Sequence, residues 1–182
     1  MCLRICIIHL ILLFLTGSGY SQPLMTKNGF AGFYSKTPFE DIRAENNQVY
    51  AIIDPTTRHI AFALLMKGFI FSKELMQVHF NENYIESDKY PKATFSGECS
   101  GEMDLTKEGI YQVVIKGVLM LHGVSQPLET TAQLEVKNDQ IAGTAFFNVK
   151  PEDFQIRIPG VVRDKIAREI KVRIHTNWTR LK

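Results

Sequence analysis

From residue 30 onward the chain alternates between apolar and polar residues, in runs that are separated by turn residues. A period of two puts successive side chains on opposite faces of a strand, so each run predicts a β-strand with one buried face. Runs of this kind predict eight strands, at residues 30–36, 48–53, 59–71, 91–103, 109–122, 128–136, 140–149 and 170–178. The fold class is therefore all-β, and a closed sheet of eight strands has an interior that side chains can fill or that can hold one small ligand.

One segment departs from this period. Leu75, Met76, His79 and Phe80 fall at helical spacing after Ser72, whose hydroxyl suits an N-cap, and they predict one short helix within residues 72–83. The segment from 151 to 168 has no clear period, and residues 161–169 fit either a helical turn or a long loop.

The first 21 residues have the composition of a secretory signal peptide. Arg4 precedes an apolar run over residues 5–15, and small residues, Gly19 and Ser21, follow. The run is short for a bilayer span, which leaves a membrane anchor as the weaker alternative. We expect cleavage after Ser21, so that residues 22–182 form one exported domain, periplasmic or secreted, without stable insertion into the membrane.

Charge and cysteine content narrow the function classes. The formal net charge of +2 is close to neutral, and positive and negative residues are interspersed along the chain. This distribution does not indicate a basic surface for binding nucleic acid. Cys2 and Cys6 lie in the predicted signal peptide, so the exported domain would carry Cys99 alone and could form no internal disulfide. No neighbouring His or Lys would lower the pKa of Cys99, which favours a structural thiol over a nucleophile.

The sequence offers no catalytic or metal-binding pattern that we would assign. His59, His79, His122 and His175 fall on separate predicted elements without paired spacing, so we expect no metal site. The Gly-x-Ser-x-Gly elbow of many hydrolases does not occur in the chain. We predict a protein that is not an enzyme, with no catalytic residues and no cofactor. His122 is better explained as the strand end before Gly123, where a tight turn needs a residue without Cβ.

Several motifs in order resemble the YceI-like family over residues 30–174. They are Ile60-x-Phe62-x-Leu64, Lys89-Tyr90-Pro91-x-Ala93-x-Phe95, Gly117-x-Leu119-x-Leu121-His122-Gly123-Val124-x-x-Pro127, Phe147-x-Val149 and Asp153-Phe154-x-Ile156. The resemblance implies an extended, lipocalin-like antiparallel β-barrel that holds a polyisoprenoid or another long-chain lipid. It also leaves a homodimer as an open alternative. The chain departs from the family at Met120, where a hydroxyl is common, and at Gln155, where Gly is common.

Strand alternation and the family pattern together indicate which side chains point inward and would form an apolar, ligand-binding tunnel. Met76, Phe80 and Tyr84, on and after the predicted helix, are also candidates for a lid, with ordinary packing of helix on sheet as the alternative. The predicted site is Phe62, Leu64, Phe69, Phe71, Met76, Phe80, Tyr84, Phe95, Leu119, Leu121, Phe147 and Val149.

Two functional hypotheses follow. The first is a carrier for a polyisoprenoid, an isoprenoid quinone or a fatty-acyl lipid, because burial of an apolar tail contributes about 25 cal/mol per Å² and needs few polar contacts. The second is a non-enzymatic envelope interaction or stress-response protein whose barrel is packed solid. Alternation alone does not separate a filled barrel from a hollow one.

Overall fold

The computed structural model describes residues 22–138 and 140–179, and nine β-strands account for most of them. The predicted signal peptide lies outside these residues. The strands are β1 (Leu24–Lys36), β2 (Asp41–Ile53), β3 (His59–Leu65), β4 (Ile70–Phe71), β5 (Lys92–Ser100), β6 (Gly109–Leu121), β7 (Val124–Lys137), β8 (Gln140–Val149) and β9 (Ile170–Thr179).

Eight of these strands close into an antiparallel barrel. The order around the barrel is β1-β9-β8-β7-β6-β5-β3-β2, and pairing between β1 and β2 completes the ring. The two-residue strand β4 also pairs with β2, where Ile70 is opposite Glu45, away from the residues of β2 that pair with β3. The predicted eight-stranded antiparallel barrel with one short helix is confirmed.

The observed strands differ from the predicted ones mainly at their starts. β1, β2 and β7 begin at Leu24, Asp41 and Val124, several residues earlier than predicted. In β1 the pairing with β2 shifts register on both sides of Gly29, and this irregularity disrupts the alternation there. The predicted strand 59–71 is interrupted by a 3₁₀ turn at Met66–Gly68, where the buried Asn46 amide donates to the Leu65 carbonyl at 2.9 Å.

The helix is shorter than predicted and begins differently. α1 spans Glu74–His79 and continues as a π-helical turn over Phe80–Tyr84. Lys73, not Ser72, precedes the first helical residue, and no side chain caps this end. The N-cap prediction at Ser72 was therefore wrong. No helix within residues 22–138 and 140–179 combines the length and hydropathy needed to cross a membrane.

The turn between β6 and β7 connects three segments. His122 and Gly123 both have left-handed backbones, with φ of 51° and 74°, which is the geometry of a two-residue hairpin turn. The predicted turn at Gly123 is confirmed, whereas His122, which was predicted as the end of the strand, is the first residue of the turn because β6 ends at Leu121. The His122 ring is buried, with Nδ1 3.0 Å from the Phe154 carbonyl oxygen and Nε2 3.1 Å from a Glu86 carboxylate oxygen. These contacts join the turn to the chain after the π-helical turn and to a 3₁₀ turn at Pro151–Phe154.

The interior divides into two apolar clusters, one toward each end of the barrel. The first, which we call the filled end, is centred on the fully buried Trp178 and is covered by the loop that contains Leu105. The second, which we call the hollow end, lies beside α1 and includes Met66, Phe69 and Phe154. A 3₁₀ turn at Gly160–Lys165 also lies at the hollow end.

Candidate functional site: an apolar cavity in the hollow end

A cavity of about 540 Å³ occupies the hollow end. This volume lies within the range of about 300–1,000 Å³ that is typical of small-molecule sites. The inner faces of the barrel strands and the helical segment surround it. All twelve residues of the predicted site contribute to its wall, although their contact with a ligand stays a prediction.

The sequence analysis missed more than half of the apolar residues in the wall. Ile170, Val172 and Ile174 alternate along β9 with the exposed Lys171 and Arg173, a period that could have revealed them. The irregular segment 155–168 carries a further part of the wall, and its lack of period hid it. The apolar wall residues that the sequence analysis did not assign include Ala31, Phe33, Ile42, Val49, Met66, Leu75, Ile156, Ile158, Val162, Ile166, Ile170, Val172 and Ile174.

Four aromatic rings form one side of the cavity. Phe33 of β1 lies 5.2 Å from Phe69, 5.6 Å from Phe71 and 5.4 Å from Phe80 between ring centroids. Phe71 and Phe80 are 5.0 Å apart. Tilted and edge-on pairs at these distances are favourable beyond their area of burial. The cluster therefore fixes the helical segment against β1 and gives this side of the cavity a rigid apolar surface.

The helical segment forms a wall of the cavity through Leu75, Met76, His79, Phe80 and Tyr84. In the π-helical turn the Ile85 N–H donates to the Phe80 carbonyl at 2.9 Å, five residues back. The extra residue in this turn changes which side chains face the barrel, and burial there raises the pKa of the Tyr84 hydroxyl. The residues predicted as a lid, Met76, Phe80 and Tyr84, lie in the cavity wall, and Phe80 also packs on Phe33 and Phe71 of the sheet. Their role as a lid stays a prediction.

Phe95 lies at the inner end of the cavity, where two glycines face each other. Gly97 of β5 is paired with Gly117 of β6. A Cβ atom on either glycine would lie 2.8 Å from Cζ of Phe95 and would also collide with the backbone of the opposite strand. The glycine pair therefore allows the Phe95 ring to lie across both strands, which explains why Gly117 belongs to the motif around Leu119.

Charged groups occur where the cavity opens to solvent. Glu40, in the turn between β1 and β2, accepts a hydrogen bond from Nζ of Lys73 at 2.7 Å. This hydrogen bond and the charge of Lys73 hold the pKa of Glu40 below its usual value, and the charge of Lys165 adds to the effect. The mouth therefore carries two ammonium groups and one carboxylate, while nearly all of the wall behind it is apolar.

Apart from His79, which lies in the cavity wall, the His and Cys side chains of the described chain lie elsewhere or have other partners. Cys99 is buried in the filled end, where desolvation raises the pKa of its thiol, so it is an inert structural residue. His59 contacts Ser96 at 3.0 Å, and His175 contacts Thr144 at 2.9 Å. Within the described part of the chain, no three His, Cys, Asp or Glu side chains are grouped closely enough to hold a metal ion.

A family model for the YceI-like domain matches residues 26–178. The chain belongs to the YceI-like family. Solved structures agree with this at the level of the fold. A polyisoprenoid-binding domain from Saccharophagus degradans, described as implicated in plant cell wall breakdown, is similar to the chain with a TM-score of 0.73 and 14% identity, over 87% of this chain and 98% of that one.

Two further structures of this fold are similar to the chain. BcnA from Burkholderia cenocepacia has a TM-score of 0.69 and 11% identity, over 82% of this chain and 95% of that one. A YceI protein from Campylobacter jejuni has a TM-score of 0.57 and 16% identity, over 72% and 81%. No curated protein sequence matches the chain significantly.

The two departures from the YceI-like pattern lie in different structural settings. Met120 lies on the outer face of β6 and is 39% exposed, so its difference from the family does not alter the cavity. Gln155 has a left-handed backbone with φ of 58°. Glycine adopts this conformation without a steric penalty, which accounts for the glycine that is common there in the family.

Proposed function

We propose that this YceI-like protein is an exported, non-enzymatic carrier that binds a long-chain lipid in the cavity of its hollow end. The observation that supports the proposal is the cavity of about 540 Å³ with an almost wholly apolar wall. Water in such a space finds few hydrogen-bond partners, so an apolar ligand is the favoured occupant. The signal-peptide pattern of residues 1–21 supports a periplasmic or secreted location.

The ligand class follows from the distribution of polar groups. The tail of a polyisoprenoid, an isoprenoid quinone or a fatty-acyl lipid would lie among the Phe, Leu and Ile side chains, and each buried CH₂ contributes about 0.8 kcal/mol. The head group would lie at the mouth near Glu40, Lys73 and Lys165. The printed description of the Saccharophagus degradans domain as polyisoprenoid-binding supports the same class. The cavity favours this function over that of a solidly packed interaction protein.

Mass spectrometry of lipids extracted from the purified protein tests the proposal, with a pair of adjacent substitutions as the control. Leu119 lines the cavity, whereas Val118 on the same strand is on the outer face. Leu119→Trp should fill part of the cavity and lower the recovered lipid severalfold. Val118→Trp adds the same ring outside the barrel and should leave the lipid content unchanged.

Circular dichroism should show that both variants keep the barrel. A wild-type protein that is recovered without lipid, and that takes up none when incubated with isoprenoid or fatty-acyl lipids, would contradict the carrier function. Equal loss in the two variants would argue against the cavity as the binding site.

A further inference from the structure

Three large apolar side chains stand exposed around the mouth of the cavity. Phe39 is 71% exposed at the tip of the turn between β1 and β2. Leu75 is 65% exposed in the first turn of α1, and Val161 is 90% exposed in the 3₁₀ turn at Gly160–Lys165. We call these three residues the rim. Clustered exposed apolar residues of this kind indicate an interaction surface.

The rim residues come from separate segments, and polar contacts hold these segments side by side. The Lys73–Glu40 ion pair joins the start of α1 to the turn that carries Phe39. Lys165 is close enough to Glu40 to lower its pKa, which places the turn that carries Val161 on the same side of the barrel. The Ala167 N–H also donates to the Ser35 hydroxyl at 2.8 Å, and this bond ties the same segment to the end of β1.

The segment around Val161 carries mainly positive charge. Between residues 157 and 168 the chain carries exposed Arg157, Arg163, Lys165 and Arg168, with Asp164 as the single carboxylate. Exposed apolar residues next to basic ones suit an anionic lipid surface, in which the apolar groups enter the interface and the cations meet the head groups. A protein partner would not require the rim to surround the opening of an apolar cavity.

We propose that the rim and the basic segment 157–168 dock the barrel, mouth first, on a lipid bilayer that contains anionic lipid. The inference rests on the carrier function proposed above, because mouth-first docking lets a lipid tail pass between bilayer and cavity without crossing water. The partner is then the membrane surface itself, as opposed to a receptor protein.

Flotation with vesicles tests the docking surface. The sample is the protein purified after export, with its N-terminus determined by mass spectrometry. The vesicles are phosphatidylcholine alone, or phosphatidylcholine mixed with phosphatidylglycerol. The rim variant is Phe39→Ser with Val161→Ser, since neither residue lines the cavity. Its control is Ile110→Ser with Phe146→Ser, two residues of similar exposure, 63% and 64%, on the outer barrel wall.

The rim variant should lose about tenfold or more in partition to the mixed vesicles, and the wall variant less than about twofold. Arg163→Gln with Arg168→Gln should weaken binding to the mixed vesicles by about tenfold and leave binding to phosphatidylcholine alone unchanged. The unfolding transition of each variant shows that the barrel is intact.

A wild-type protein that stays off both kinds of vesicle overturns the docking proposal, as do equal losses in the rim and wall variants. The lipid content of the same samples separates this result from failure of the carrier function. Protein that contains lipid but does not bind vesicles would contradict the docking proposal and leave the carrier function supported. Empty protein that binds vesicles through the rim contradicts the carrier function alone and leaves the docking surface supported.

Discussion

The two ends of the barrel are built from the same strands, yet one is filled and the other is hollow. At the filled end Trp178 is 1% exposed, and its indole N–H donates to the Ala51 carbonyl at 3.3 Å. Gly143 on the neighbouring strand makes room for it, since a Cβ there would lie 2.7 Å from the indole ring. At the hollow end the small residues Ala31 and Ala93 border the cavity instead. A barrel end is therefore solid where the side chains of facing strands together fill the space between them.

The largest expected effect is on the free energy of unfolding, when one aromatic ring is removed at each end of the barrel and the two losses are compared. Trp178→Ala should lower the free energy of unfolding by about 3–5 kcal/mol, because the surrounding core cannot close over the space. Phe147→Ala should cost less than about 2 kcal/mol, because part of its ring faces the cavity and forms few contacts there. Urea unfolding of lipid-free protein measures both values. Similar losses of unfolding free energy in the two variants would mean that the hollow end is packed in solution.

The reverse substitution, from small to large, should sharpen the same contrast. Ala51 is 1% exposed in the filled end, and Ala51→Phe should destabilise the protein by about 1–3 kcal/mol through overpacking. Ala93 borders the cavity, so Ala93→Phe should change the free energy of unfolding by less than about 1 kcal/mol and lower the lipid content. Thermal unfolding and lipid extraction check the pair. Equal destabilisation at the two sites would speak against a cavity that can accept a ring.

The contrast also separates what a sequence can predict from what it cannot. Alternation and the family pattern together predicted that Phe62, Leu119 and Phe147 point inward, and all three lie in the cavity wall. Alternation can contribute to such a prediction because the period of a strand is local. Phe33 was missed because the other inward residues of this part of β1, Ala31 and Ser35, are small. Phe30 and Tyr34 on the opposite face are aromatic, so no single apolar face is evident in the sequence. Whether a barrel end is filled depends on the total volume of the side chains that several strands contribute to it. These strands are distant in sequence, so no local pattern could distinguish the filled end from the hollow end.

The helical wall illustrates a second limit. The spacing of Met76 and Phe80 indicated a helix, and the structure has one there. The capping role of Ser72 failed, because Lys73 has an extended backbone and the helix starts only at Glu74. Contacts from nearby Phe71 hold this wall together with contacts from Phe33 and Glu40, which lie in segments more than 30 residues earlier. Helical spacing predicts the element, whereas its position over the cavity depends on tertiary partners.

The smallest expected effect concerns acid titration at the two ends. At the filled end Asp104 accepts hydrogen bonds from Thr106 and pairs with Lys107, which lowers its pKa to about 2. At the hollow end the hydrogen bond and charge of Lys73 lower the pKa of Glu40. A carboxyl whose pKa is lower in the folded state stabilises the fold above its unfolded pKa, and this contribution is lost as the pH falls through the folded value.

Both contributions should therefore be complete at pH 6. That of Glu40 should decline below the ordinary value of 4.5, and that of Asp104 should decline between 3.8 and about 2. Both groups are partly exposed and screened by solvent, so the changes in unfolding midpoint should be small. Glu40→Gln and Asp104→Asn should each flatten the pH dependence in the window of its own group. A midpoint that keeps the wild-type pH dependence in Asp104→Asn would contradict the role of that carboxylate.

If the mouth pair matters for docking, Glu40→Gln should also change vesicle binding, whereas Asp104→Asn at the far end should not.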